Sequence, residues 1–365
     1  MFDYFYALVY YLMKKIENNE RDNKMKKMTK LFNMLVATAL VIGVVGCGSG
    51  TANNAGTGTS NSESSGKTED GENYKIGIIQ LVEHTALDAT YQGFVDGLKE
   101  AGLEEGKNIT IDYQNAQGDQ SNCQTIATKL VNDRNNLILA IATPAAQAVA
   151  NTTKDIPILV TAVTDPADSK LVASNEAPGG NVTGTSDLTP VKEQINLIPQ
   201  ILPEAKTVGL VYCSSEANSK FQIELAKKEA EAIGLQTIEA TVSNSNEIQQ
   251  VLQSLVGKVE AIYIPTDNML AAGMATVAQV TTPAGIPVIV GEEGMVNNGG
   301  TATYGINYYN LGKLTATQAV AILKEGKNPS EMPIEYSSDF NLVLNQEAAK
   351  QMGITLPQEL VDKAK

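Results

Sequence analysis

The chain has 365 residues, with 41 acidic and 27 Lys/Arg side chains, a formal net charge of −14, one histidine and no tryptophan. So acidic a chain is a poor partner for nucleic acid or anionic lipid, whose binding draws on clustered Lys and Arg. The single histidine, His84, excludes a His-rich metal site and leaves a Ser-His-Asp triad one possible base, while Cys123 and Cys213 stand too far apart for CxxC chemistry.

Residues 1–24 join an aromatic-rich stretch (MFDYFYALVYYLM) to a charged one and fit no targeting scheme; they read as an over-called start, with Met25 or Met28 as the true one. Residues 25–46 read as a signal peptide. Lys26, Lys27 and Lys30 form its basic region and Leu31 to Val45 its apolar region, too short for a membrane span of about 20 residues. Val44-Val45-Gly46-Cys47 resembles a bacterial lipobox, which makes Cys47 the expected site of lipidation. Residues 47–73 follow as a Gly/Ser/Thr/Asn tract that cannot bury a core, expected to act as a disordered tether spanning roughly 25–30 Å. Residues 1–46 hold seven Lys/Arg and four Asp/Glu, so the rest stands at −17.

From residue 74 short β-branched runs alternate with amphipathic stretches. Strands are expected at KIGIIQLV (75–82), NITIDYQ (108–114), LILAIAT (137–143) and IPILVTAV (156–163), with helices between them. The order then recurs at TVGLVYC (207–213), LQTIEATV (235–242), EAIYIPT (260–266) and IPVIVGE (286–292), the last two again flanking a helix, 268–280. A unit repeated at about 130 residues predicts two similar lobes, each a doubly wound parallel sheet with helices on both faces. GGNVTGTSDL (179–188) and ATYGINYYNLG (302–312) read as crossovers, and FNLVLN (340–345) as a last strand. The expected division is 74–186 plus 303–328 for one lobe and 187–302 plus 329–365 for the other.

Ligands of open parallel sheets bind beyond the carboxyl ends of the strands. The loops there supply Glu83, then Thr143, Pro144 and Ala145, then Thr164 and Asp165, then Ser214, Ser215 and Asn218, then Thr266, Asp267 and Asn268, then Glu292. Their charge is one-sided, which suits an ammonium or a neutral polar ligand and not a naked phosphate. Glu83, Asp267 and Glu292 each follow a strand directly and are candidates for the ammonium. Backbone N–H groups of TPAA and SSEAN, with Thr143, Ser214 and Ser215, are candidates for a carboxylate. Tyr212 or Tyr304 could stack on an aromatic side chain. The alternative for the Ser, Thr and Asp residues is plain helix capping.

TPAAQA, IPILVTAVTDPADSKLV, PGGNVTG, SSEANS, YIPTDN, IPVIVGEEGMV and GGTATYGINYYNLG, in this order, resemble the substrate-binding lipoproteins of ABC transporters, in the branch tied to aromatic amino acids. The resemblance spans nearly all of 74–365. It implies the type I periplasmic-binding-protein fold, α/β with two similar lobes joined by a multi-crossover hinge. It also implies a monomer that is lipid-anchored outside the cytoplasm, needs no cofactor or metal, and passes a small amino-acid-like ligand to an ABC permease with a separate ATPase. Two alternatives are a ligand-sensing lipoprotein without transport and an enzyme on the same fold, using His84 and a cleft carboxylate.

Overall fold

The structure, a computed structural model, describes residues 73–337 and 339–364. The leader, Cys47 and all but the last residue of the tether lie outside the described residues. In chain order the first half holds β1 (Tyr74–Gln80), α1 (Thr85–Glu100), β2 (Ile109–Asn115), α2 (Gln120–Asn132), β3 (Leu137–Ile141), α3 (Thr143–Thr152), β4 (Ile158–Val163) and β5 (Val182–Ser186). Next come α4 (Val191–Ile201), β6 (Thr207–Cys213), α5 (Ala217–Ala232), β7 (Gln236–Val242), α6 (Ile248–Leu255), β8 (Ala261–Ile264), α7 (Asn268–Ala272), α8 (Met274–Thr281), β9 (Val288–Val290) and α9 (Glu293–Asn297). The chain ends with β10 (Ala302–Gly305), α10 (Tyr308–Glu325), β11 (Glu335–Tyr336), β12 (Asn341–Leu344), α11 (Gln346–Gln351) and α12 (Gln358–Lys363).

Two six-stranded sheets result, ordered β11-β5-β4-β3-β1-β2 and β12-β10-β9-β8-β6-β7. All pairs are parallel except β10–β12. Every residue of β3 and β4 is buried, as expected for strands covered by helices on both faces, whereas the edge strands β2 and β7 are partly exposed. In the second sheet the faces separate by alternation. Ile262 and Ile264 join the core under α6 to α9, and Ala261 and Tyr263 join the core under α4 and α5.

Both lobes fall within one compact unit. The chain passes between the sheets three times, after β5, after β10 and between β11 and β12. Two expected boundaries shift. Thr303–Gly305 belongs to β10 in the second sheet, and β11 pairs with β5 in the first, so 329–365 does not stay with the second lobe. The reason is local: Thr183 Oγ1 donates to the Met332 carbonyl and Gln318 reaches Glu335, which draws the segment after α10 onto β5. Helix α4, not expected from the sequence, fills the second lobe after the first crossover. The single helix expected over 268–280 is two helices that meet at Gly273, where Ile248 of α6 packs so closely that an added Cβ would lie 2.5 Å from its Cδ1.

Helices α1 and α10 touch backbone to backbone. A Cβ built on Gly93 would lie 2.0 Å from the Tyr309 carbonyl oxygen, and one on Gly312 would lie 2.0 Å from that of Thr90. Rigid backbone on both sides leaves nothing to yield. Gly312→Ala is expected to cost at least about 1–3 kcal/mol by overpacking, measured by urea unfolding; an unchanged midpoint would mean the helices slide apart freely.

Candidate functional site

The carboxyl ends of the two sheets face each other across a cleft, and the crossovers close its inner end. Two alanines at these ends hold left-handed backbone angles, Ala142 after β3 (φ 81°) and Ala162 in β4 (φ 52°). Such positions cost about 1–3 kcal/mol each and persist where the surroundings over-determine them, which occurs at functional sites. Ala162 also sits where the β4–β5 register shifts, a bulge that turns this strand end toward the cleft.

The cleft has an outer and an inner compartment. The outer is a cavity of ≈ 590 Å³ whose apolar lining includes Leu81, Val82, Pro144, Met269 and Ala272, and whose polar lining includes Gln117, Gln120, Ser215 and Ser243. The inner is a narrow gap of ≈ 10 Å³, room for about one water, lined by His84, Leu87 and Ala162 from the first lobe, Thr266, Asp267, Asn268, Ala271 and Glu292 from the second, and Asp187 and Tyr308 from the crossovers. Asn268 lines both compartments.

Charge in the inner gap is unbalanced. Asp187 is buried; its Oδ2 accepts from Tyr308 OH at 2.8 Å, and its Oδ1 is buried with no partner. Glu292 is buried and accepts the Gly294 N–H at the start of α9. Burial pushes Asp187 up to about 6 and Glu292 up to about 7, and hydrogen bonds to each carboxylate only partly offset this. Among the described residues no Lys or Arg lines the gap. Two other cleft acids are already satisfied. Asp267 accepts from Cys213 N (2.6 Å), Ser219 Oγ (2.7 Å) and Leu270 N (2.9 Å), and so caps α7. Glu216 collects four N–H groups from Asn218, Asn268 and Met269.

Hydrogen bonds cross the cleft at four places. They join His84 Nε2 to Asn268 Oδ1 (3.3 Å), Thr164 Oγ1 to Thr266 Oγ1 (3.2 Å), Gln120 Nε2 to the Ser215 carbonyl (3.4 Å) and Asn298 Nδ2 to Thr85 Oγ1 (3.3 Å). Gln222 Nε2 also reaches Thr164 Oγ1 at 3.3 Å, so the lobes are closed on each other.

Of the residues expected at the site, the structure brings Thr266, Asp267, Asn268 and Glu292 to the inner gap, with Thr164 bonded to Thr266. It brings Pro144 and Ser215 to the outer cavity. Thr143 and Ala145 are buried in the first turn of α3, and the Thr143 hydroxyl has no partner. Asn218 is buried against Glu216 and Thr266. Three expected residues are elsewhere. Glu83 is exposed and bonded by Asn115; Asp165 caps its own turn through Ala167 and Asp168; Ser214 bonds the Val242 carbonyl. Neither Tyr212, which donates to Glu239, nor Tyr304 lines a compartment. Asp187 and Tyr308 were missed because each lies in a crossover and not in a repeated strand-end loop; the only available signal was an acid directly after a Gly/Thr-rich strand.

Two doubly wound lobes, three crossovers and a closed cleft at the strand ends define a type I periplasmic-binding-protein fold. A solute-binding protein from Thermotoga lettingae in complex with 5-methylthioribose has the same fold at 14% identity (TM-score 0.55, covering 81% of this chain and 97% of that one). The chain belongs to the ABC transporter substrate-binding protein family, whose profile matches residues 75–365. It is 40% identical over 329 residues to a "Tyrosine-binding protein" of Clostridioides difficile, covering 90% of this chain and 93% of that protein. A Streptococcus ABC domain solved in complex with L-Trp shares 40% identity and a TM-score of 0.78, covering 80% of this chain and 99% of that one. The ligand-free, open structure of a Clostridium difficile substrate-binding protein with adhesive properties shares more identity, 46%, but a lower TM-score, 0.62, covering 80% and 98%. At equal coverage the lobe arrangement here is nearer that of the tryptophan complex. Among the described residues no helix is long and apolar enough to cross a membrane.

Proposed function

We propose that the protein captures an aromatic amino acid, held by its ammonium group in the inner gap, and delivers it to an ABC importer from a lipid anchor on the outer face of the cytoplasmic membrane. The carrying observation is the pair of buried acids, Asp187 and Glu292, lining a gap to which the described residues bring no Lys or Arg. A gap with room for one water has the size of an –NH3+ group. The adjoining 590 Å³ cavity has the apolar walls and polar end that an indole or phenol side chain needs. The α3 start, where Pro144 lines the outer cavity and the Thr143 hydroxyl has no partner, is the anion site assigned to the carboxylate. Names of the relatives, one tyrosine-binding and one bound to tryptophan, agree with this ligand class. Binding is reversible and involves no covalent chemistry.

Thermal unfolding with each of the twenty amino acids and a panel of sugars tests the ligand class. Tyrosine and tryptophan should raise the midpoint most, since a ligand bound only by the folded state stabilises it by about 2.7 kcal/mol at a hundred times its Kd; a sugar outranking every amino acid would refute the class. The anchor has its own test. Cys47→Ser should leave the protein unprocessed or release it to the medium, and a variant that fractionates and migrates like the parent would rule out lipidation.

A further inference from the structure

The direction of one amide determines a hydrogen-bond direction across the cleft. Glu216 Oε2 accepts from Asn268 Nδ2 (2.5 Å), from the Asn268 backbone N–H (3.3 Å) and from Asn218 Nδ2 (3.1 Å), while Oε1 accepts the Met269 N–H (3.1 Å). Burial, with Asp267 beside it, pushes Glu216 up, but with three N–H groups on Oε2 any proton it takes up sits on Oε1. The amide nitrogen of Asn268 therefore stays turned toward Glu216 in either state. Its Oδ1 is left facing His84, whose Nε2 stands 3.3 Å away in the other lobe.

An amide oxygen can only accept, so Nε2 must carry the imidazole proton. Nδ1 is then a bare lone pair. It is buried and without a partner, on a side chain that lines the inner gap with Asp187 and Glu292. His84 does not escape by taking a second proton, because burial pushes it down to about 4. Residues lining the gap thus carry three acceptors, the unpartnered Asp187 Oδ1 and His84 Nδ1 and the Glu292 carboxylate.

We propose that His84 is a specificity-determining residue, the third acceptor for the ligand's ammonium, and that the set of three selects a primary ammonium over an N-alkylated one. The proposal rests on the amino-acid reading above and adds to it the role of the neutral histidine. A primary ammonium has three N–H bonds for three acceptors. An N-methyl amine has two, and it would set a methyl group against a buried lone pair, leaving that acceptor unsatisfied.

Calorimetry with L-tyrosine and N-methyl-L-tyrosine on the parent and on His84→Ala tests this. The parent should favour tyrosine by about tenfold or more, the size of one lost charge-assisted hydrogen bond. In His84→Ala that preference should collapse to about threefold or less, even though tyrosine itself binds more weakly. Equal discrimination by parent and variant would overturn the proposal. Independently, 15N NMR of the tyrosine-bound parent reads the tautomer directly, since the chain has one histidine. The Nε2–H form with an unprotonated Nδ1 is expected; an Nδ1–H form or an imidazolium would overturn the proposal, and this readout decides the matter should His84→Ala fail to fold. A parent that binds N-methyl-L-tyrosine as tightly as tyrosine defeats this inference alone, whereas a parent that binds no amino acid defeats the reading beneath it.

Discussion

Asp187→Asn is expected to abolish most ligand binding while making the unliganded protein more stable. Asp187 is buried, one oxygen has no partner, and Tyr308 donates to the other at 2.8 Å. Removing its charge leaves the ligand's buried ammonium short of a counter-ion, which costs about 2–5 kcal/mol, or roughly 30-fold to several-thousand-fold in Kd. The same substitution removes an uncompensated buried carboxylate from the empty protein, where burial holds its pKa at about 6. At pH 8 that relief should amount to about 1–3 kcal/mol. Calorimetry and urea unfolding on one preparation separate the two effects. A variant that binds like the parent, or one that is destabilised at pH 8, would show that Asp187 is a structural acid.

Affinity is expected to fall steeply between pH 8 and pH 5. Asp187 titrates near 6 and Glu292 near 7 in the unliganded protein, and an ammonium binds the ionised forms. Above pH 7 the site is charged and ready. Below it each retained proton must leave before the ligand binds, so affinity drops by up to about tenfold per pH unit for each proton released. The groups facing the pair are Tyr308, Thr164 and His84, with Asp267 in the same gap and Glu293 beside Glu292. His84 stays neutral down to about pH 4, and the charge of Glu293 pushes Glu292 up, so neither offsets the trend within this window. The sign for stability is opposite. Both acids sit above their unfolded values of about 3.9 and 4.3, so at these two sites the folded state holds more protons than the unfolded chain between about pH 4 and 7. Their contribution to the stability of the unliganded protein is greatest at the acidic end of that window and is lost as pH rises through the folded values. Calorimetry in buffers of different ionisation heat should register proton release near pH 6.5; a flat Kd from pH 8 to 5 would exclude a site built on these two acids.

The two lobes were legible because parallel strands covered on both faces must be continuously apolar. LILAI and ILVTAV carry that pattern, and its repetition in AIYI and VIV announced the second lobe. What stayed hidden was set by distant pairing. Two-residue β11 has both residues exposed and no periodicity to read; its place on β5 depends on Thr183 and Gln318 catching the segment after α10. The site was legible by loop but not by residue. The sequence shows that Asp267 and Asp187 each end a strand segment. Only the fold shows that Asp267 spends its oxygens on Cys213, Ser219 and Leu270, while Asp187 keeps one free. Glu83 illustrates the same limit, since it lies in the loop after β1 yet turns to solvent while His84 beside it turns inward.

The central claim is that the cleft recognises an amino acid by its ammonium. The most direct test is calorimetry of the body from residue 74 onward with L-tyrosine, with its deaminated acid 3-(4-hydroxyphenyl)propionate and with tyramine, which keeps the ammonium and lacks the carboxylate. The account predicts that tyrosine binds, that the deaminated acid loses at least about a hundredfold because Asp187 and Glu292 are left without their cation, and that tyramine loses less. A deaminated acid that binds as tightly as tyrosine would contradict the account.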